Sequence, residues 1–164
     1  MAYQIRNSFD IPLAGAPKPT LEDIACGKEV TVNVGDYTNY KFRNLVQEGD
    51  AVKVGTPLLA VKSDDSIILN SPAAGKVKSI LRGARRRLLG VVVEVENTND
   101  AEDFGIWSNS KVSSASREEI IEQIKKGGLW SFLTQRPFQV LADASTNPKA
   151  IFINGMETAP LAPS

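Results

Sequence analysis

The sequence predicts an α+β chain: a small β-rich barrel or sandwich over residues 29–100, a helical stretch after it, and the first strand of an α/β domain at its end. Three observations carry that prediction. Short alternating runs such as EVTVNV and KVKSIL, separated by Gly and Gly-Asp turns, have the period of two expected of half-buried strands. The period becomes helical after SREE, where Ser116 and Glu119 stand at the spacing of a capping box. Near the end, KAIFING is apolar, β-branched and closed by glycine, as the first strand of an α/β unit is.

The elements follow in order. Residues 1–28 carry Pro12, Pro17 and Pro19, each of which fixes its own φ and biases its predecessor toward extended backbone. An ordered, irregular arm is expected there, with IPLAGAP suited to lie along a neighbouring surface. In the β-rich region, EVTVNV leads to a turn at Gly35-Asp36 and a strand in YKFRNLV. A second turn at Gly49-Asp50, then Gly55 and Pro57, punctuate a run whose apolar positions are Val52, Val54, Leu58, Leu59 and Val61. SIILN reads as a buried strand, SPAAG as a turn with a glycine at positive φ, and KVKSIL and GVVVEVE as the last strands. The polar, acidic NTNDAEDFG leads into a helical linker region, 101–148. Its helix starts at Ser116, buries Ile120, Ile121 and Ile124 on one face and ends at Gly127-Gly128, before a second apolar turn in LWSFL. Residues 149–164 are expected to begin a truncated α/β domain, because a lone strand has nothing to pair with; the 164 residues then form part of a longer protein.

Composition narrows the function. Lys+Arg and Asp+Glu are both 19, so net charge offers no reason to expect nucleic acid. The lone Cys26 excludes an internal disulfide or a CxxC site, and the lack of histidine removes imidazole chemistry from this chain. MAYQIRNSFDIPLAG has no basic segment followed by an apolar run, and no apolar stretch approaches the roughly 20 residues that span a bilayer. A cytoplasmic domain is expected.

VQEGDAVKVGTPLLAV followed by SPAAGKV resembles the first half of a biotinyl/lipoyl domain, which implies a barrel-sandwich hybrid fold. Carriers of that family place a nucleophilic lysine at the hairpin tip. Here Asp64 and Asp65 are expected at the tip, and a carboxylate cannot form the amide to biotin or lipoate. Lys62 is read as a solvated residue of the strand leading in, so no attachment site is expected. Adjacent aspartates also suggest a cation, but hard cations take about six oxygens and few other acids are near; no metal site is expected.

The next turn departs further, because RGARRRLLG puts Arg82, Arg85, Arg86 and Arg87 within six residues. A solvated basic loop accounts for them; so does docking, with guanidinium groups forked onto a partner's carboxylates or onto lipid phosphates. Nucleic acid fits poorly, since the loop has no aromatic residue to stack on bases.

IPLAGAP, RGARRRLLGVVVEV, GLWSFLTQRPF and PKAIFINGMETAPLA, in that order and spacing, together resemble the N-terminal third of the A subunit of the bacterial sodium-translocating NADH:quinone reductases. The resemblance implies a peripheral subunit on the cytoplasmic side of the inner membrane, reaching the membrane only through the other members of its complex. It implies no cofactor on this stretch, because NADH, flavins, iron-sulfur centres and Na+ are handled elsewhere in a complex that reduces ubiquinone. It also links the family to quinone binding or access. For that role the candidates are Trp130, Phe132 and Phe138 with Arg136 among them, aromatic walls plus a donor for a carbonyl oxygen. Core packing accounts for the same aromatics. Gly155 to Ala159 stand where α/β folds bind ligands, at the carboxyl end of a strand. Three other readings remain: the C subunit of the Rnf electron-transport complexes, a lysine-less biotinyl/lipoyl-like interaction module, and a periplasmic membrane-fusion adaptor. The last needs a long helical insertion at the hairpin tip, which this stretch does not have.

Overall fold

The computed structural model describes residues 13–15, 18, 20–25, 27–97 and 100–155. The chain divides into two units, 26–146 and a second formed by 1–25 with 147–164.

In the first unit, alternating residues become two antiparallel sheets. The four-stranded sheet has the order β1-β7-β6-β3, with β1 Glu29–Asn33, β3 Ala51–Val52, β6 Ala74–Arg82 and β7 Leu88–Asn97. The three-stranded sheet has the order β2-β4-β5, with β2 Phe42–Asn44, β4 Pro57–Val61 and β5 Asp64–Asn70. Both contribute to one core, in which Leu58, Leu59, Val61, Val77, Val91 and Val93 are fully buried. Each such side chain contributes about 1.5–3 kcal/mol relative to exposure. The run 58–61 is buried on both faces of β4, which agrees with an apolar run that does not alternate.

The turns expected at glycines form, though not always for the expected reason. Gly35 donates to Asn33 Oδ1 at 2.8 Å and Tyr37 N–H closes the turn on Val34 O at 3.1 Å. Gly49 has φ 93 and its N–H reaches Val77 O at 2.8 Å. Gly75 takes the expected positive φ, 157, but lies inside β6 close to β7 rather than in a turn. A Cβ there would stand 1.9 Å from the Glu94 carbonyl oxygen, so close approach of two backbones is what requires glycine.

The segment after β7 is less free than a linker. Asp100 O accepts from Val54 N, Glu102 N donates to Val54 O at 2.8 Å, and Thr56 Oγ1 donates to Glu102 Oε1. A short helix, α1 Asn109–Ser114, precedes the expected one and was not evident from periodicity. The capping box then forms as the spacing predicts: Ser116 Oγ accepts from Glu119 N, and Glu119 Oε2 accepts from Ser116 N, at the head of α2 Arg117–Lys126. Ile121 and Ile124 pack on the core, Gly128 takes φ 73, and a 3-10 turn over Leu129–Phe132 buries Trp130. Trp130 Nε1 donates to Ala142 O at 2.8 Å and Tyr40 Oη accepts from Leu141 N at 3.0 Å. These two bonds hold a small hairpin, β8 Thr134–Gln135 with β9 Val140–Leu141, against the sandwich.

In the second unit the described residues carry neither helix nor strand. The strand expected in 149–155 is therefore absent from the described residues. Its apolar, β-branched sequence suits a strand, but a ladder needs a neighbour for its backbone groups, and no described strand supplies one. IPLAGAP falls only partly within the described residues; Cys26 and the candidate positions 156–159 lie outside them.

Candidate functional site

The hairpin between β4 and β5 differs from expectation in register. Val61 pairs with Asp64, so the two-residue turn is Lys62–Ser63, and Asp64 and Asp65 begin β5 rather than form the tip. The cause is a shift between Ala60 and Val61: Ala60 pairs with Ile68, leaving 65–67 as a bulge that the sequence does not announce. Both aspartates are engaged within the chain. Lys125 Nζ donates to Ser66 Oγ at 2.7 Å, Ser66 Oγ donates to Asp64 Oδ1, and Lys125 also lies 3.6 Å from Asp64 Oδ2. The Lys125 ammonium stands 5.6 Å above the Trp130 ring. On the outer side, Arg43 Nε donates to Asp65 Oδ1 at 2.8 Å.

These contacts set the charge state. The Ser66 hydroxyl, helped by the Ser66 amide and Lys125, holds the Asp64 carboxyl below the usual range despite partial burial. Arg43 does the same for Asp65, first by its hydrogen bond and then by its charge. A cavity of about 310 Å³ lies beside this pair, lined by Tyr40, Ser63, Asp64, Lys125 and Asp143 among others.

The turn between β6 and β7 is built differently. Gly83 N bonds Arg87 O at 2.8 Å and Arg87 N bonds Ala84 O at 3.2 Å, closing a 3-10 turn over Ala84–Arg86. Arg85 and Arg86 both stand in the left-handed region, with φ 55 and 58. Arg82 Nη2 reaches Asn44 Oδ1 and Arg82 Nη1 reaches Arg86 O, each at 3.4 Å. A groove of about 450 Å³ lies between this turn and β2. Arg82, Arg86, Arg87, Lys41, Arg43 and Lys62 line it, and no carboxylate does; Arg85 is not part of the lining.

The structure thus brings three of the four predicted arginines into one site and adds three cations that the sequence reading missed. Lys41 and Arg43 had a signal, since the alternation in YKFRN puts both on the side opposite Phe42. Lys62 had none, because its position depends on the bulge. The four aromatic-stretch candidates are not gathered in the same way. Trp130 is turned into the core, Phe132 and Phe138 are 75% and 81% exposed, Arg136 is exposed beside them, and neither cavity is lined by any of the four. Among the described residues no group of His, Cys, Asp and Glu is placed to hold a metal ion, and no helix is long and apolar enough to cross a membrane.

Residues 3–96 match the family model of the NqrA N-terminal barrel-sandwich hybrid domain. The chain belongs to the NqrA family. Residues 115–164 match the NqrA second alpha/beta domain, so the family relation covers both ends of the chain. Among curated relatives, the Na(+)-translocating NADH-quinone reductase A subunit of Saccharophagus degradans is 36% identical over 97% of this chain. The proteins of that name from Teredinibacter turnerae and Serratia proteamaculans are each 35% identical over 97% of it. The chain spans 35–36% of the length of these relatives. The hybrid fold expected from the Gly-Asp and Ser-Pro-x-x-Gly turns, and the resemblance to the NqrA family, are both borne out.

Proposed function

We propose that this NqrA-family chain is the N-terminal part of the peripheral, non-redox NqrA subunit of a sodium-translocating NADH:quinone reductase. In that complex, NADH oxidation and ubiquinone reduction are coupled to Na+ export; this chain contributes assembly contacts and part of the approach to the quinone, and binds no flavin, iron or nicotinamide itself. The observation that carries the reading is identity of about 36% over nearly the whole chain to proteins bearing that name. A place on the cytoplasmic face, with membrane contact only through the other subunits, goes with it. So does the division into an arm (1–28), the hybrid domain (29–100), a helical region (101–148) and the start of an α/β domain (149–164).

Two features of the chain support a docking role over a carrier role. The aspartates beside the hairpin turn are committed to Lys125 and Arg43, and the arginine groove has cations without acids. The exposed Phe132 and Phe138 flanking Arg136 support quinone proximity, since aromatic surface beside a guanidinium suits a quinone head group.

The deciding experiment is photo-crosslinking of a ubiquinone analogue in the whole complex, followed by peptide mapping. Label within 129–138 is expected; label confined to other regions sinks the quinone role and leaves docking. The purified chain is expected to be colourless and unable to oxidise NADH, and a flavin spectrum would count against its place as a non-redox subunit. Because Lys62 proves to be a turn residue, intact mass after co-expression with biotin and lipoate ligases is informative as well, and no added mass is expected.

A further inference from the structure

The cationic groove is assembled from three stretches far apart in sequence, and each brings something a ligand can use. We infer that the groove walled by Lys41, Arg43, Lys62, Arg82, Arg86 and Arg87 seats an extended acidic peptide segment of a partner subunit. That the partner belongs to the same complex rests on the reading proposed above; the acidic peptide rests on the groove.

Charge is the first argument. The chain as a whole is neutral, yet six cations line one groove without a carboxylate among the lining residues. Arg43 alone of the six is in an ion pair among the described residues, with Asp65. Like charges gathered in this way raise one another's energy, and an anion in the groove relieves them.

The second argument is backbone geometry at the arginine turn. Arg85 and Arg86 occupy the left-handed region, which is unfavourable for a residue other than glycine. A glycine or asparagine would hold the same turn with less strain. Arginine at these positions adds nothing to the core, since neither is buried, but Arg86 joins Arg82 and Arg87 in one cationic wall.

The third argument separates a peptide from other anions. β2 is the edge strand of its sheet and pairs only with β4. Lys41 O and Leu45 N bond toward β4, so by the period of two Arg43 also faces β4, while Phe42 and Asn44 turn their amides and carbonyls the other way. Among the described residues those outward groups have no main-chain partner. An extended peptide can pair with such an edge, place carboxylates against the guanidinium and ammonium groups, and lay an apolar side chain over Val34, Phe42 and Leu88. A phosphate headgroup would use the cations but neither the strand edge nor the apolar floor.

Two measurements test this. Carbodiimide treatment of the purified complex joins a lysine amine to a carboxylate in contact with it. Crosslinks from Lys41 or Lys62 to aspartate or glutamate of another subunit are expected, and their yield should fall about tenfold in R82Q/R86Q/R87Q, taking each exposed pair at 0.2–1 kcal/mol. R85Q, outside the groove, should keep the yield within about twofold on the same scale. In parallel, the full chain is titrated with the labelled peptide Glu-Val-Glu-Phe-Glu-Val, its glutamine counterpart, and phosphatidylglycerol vesicles. Binding of the glutamate peptide alone, with the same arginine dependence, supports the groove. Equal loss in R85Q, or binding of vesicles without the peptide, overturns it. If the subunits co-purify but Lys41 and Lys62 give no intersubunit crosslink, the groove inference fails and the proposed membership of the complex stands. If they do not co-purify, that membership fails and the peptide titration still decides whether the groove takes acidic peptide.

Discussion

Two turns of the same sandwich have opposite fates. The β4–β5 turn starts from the likeness of a swinging-arm tip and is drawn into its own chain: Lys125 from α2 holds Ser66 and Asp64, and Arg43 from β2 holds Asp65. The β6–β7 turn carries four arginines, two in strained backbone, and ion-pairs with no acid among the described residues. A group whose partners are intramolecular stabilises the fold and is lost to outside use. A group left without a counter-charge does little for the fold and is available to a ligand. The contrast shows how one frame can present turns of opposite character, since the frame fixes where turns project and the turn residues decide what they meet.

The largest expected effect tests whether the first turn is closed by the helical segment. Trp130 is 6% exposed, bonds Ala142 O, and lies beneath Lys125. Trp130→Ala should cost about 3–5 kcal/mol in denaturant unfolding. It should also speed hydrogen exchange at 62–67 while leaving 83–87 unchanged; equal acceleration at both turns would mean that the helical segment does not discriminate between them. Next in size is Lys125→Met, which keeps the stem and removes the charge. Loss of the bond to Ser66, the pair with Asp64 and the contact with the ring should together cost about 1–2 kcal/mol.

Acid separates the two turns by sign alone. The Asp64 and Asp65 carboxyls are held below their usual range in the folded chain, by Ser66 and Arg43 respectively, so the unfolded chain binds protons first as pH falls. Their contribution is complete above the unfolded value near pH 4 and is lost as pH drops through the folded values. Asp64→Asn and Asp65→Asn should each flatten the decline in stability below about pH 4, whereas Arg87→Gln should leave that limb unaltered. An unchanged acid limb in both aspartate variants would show that Ser66 and Arg43 do not hold them in solution.

What the sequence made legible was local. Alternation in EVTVNV, the Gly-Asp turns and the Ser116/Glu119 spacing each describe groups within a few residues, and each formed. What it hid was register and meeting. The bulge at 65–67 moved the hairpin turn onto Lys62, and no local rule counts bulged residues. Gly75 looks like a turn glycine in the sequence because its crowding comes from Glu94 on another strand. YKFRNLV shrank to the three-residue β2 because its ladder with β4 runs only over 42–44. The groove was half visible, as an arginine cluster, because its other wall comes from residues some 20 and 40 positions earlier.

The smallest effect bears on the second turn most directly. Arg86 has φ 58 and is exposed, so its side chain contributes no burial to set against its backbone strain. Asparagine tolerates that region far better, because its short polar side chain bonds its own backbone. Arg86→Asn should therefore stabilise the chain by about 0.5 kcal/mol, a gain of the size seen when a residue is matched to its native backbone. The same change should weaken capture of the acidic peptide, since one of three guanidinium groups on that wall is gone. Opposite signs in the two measurements are expected only where a residue is retained at the expense of the fold. If Arg86→Asn instead destabilises, the arginine side chain supports the turn through contacts in solution, and the distinction between a turn kept for the fold and one kept for a ligand does not hold at this residue.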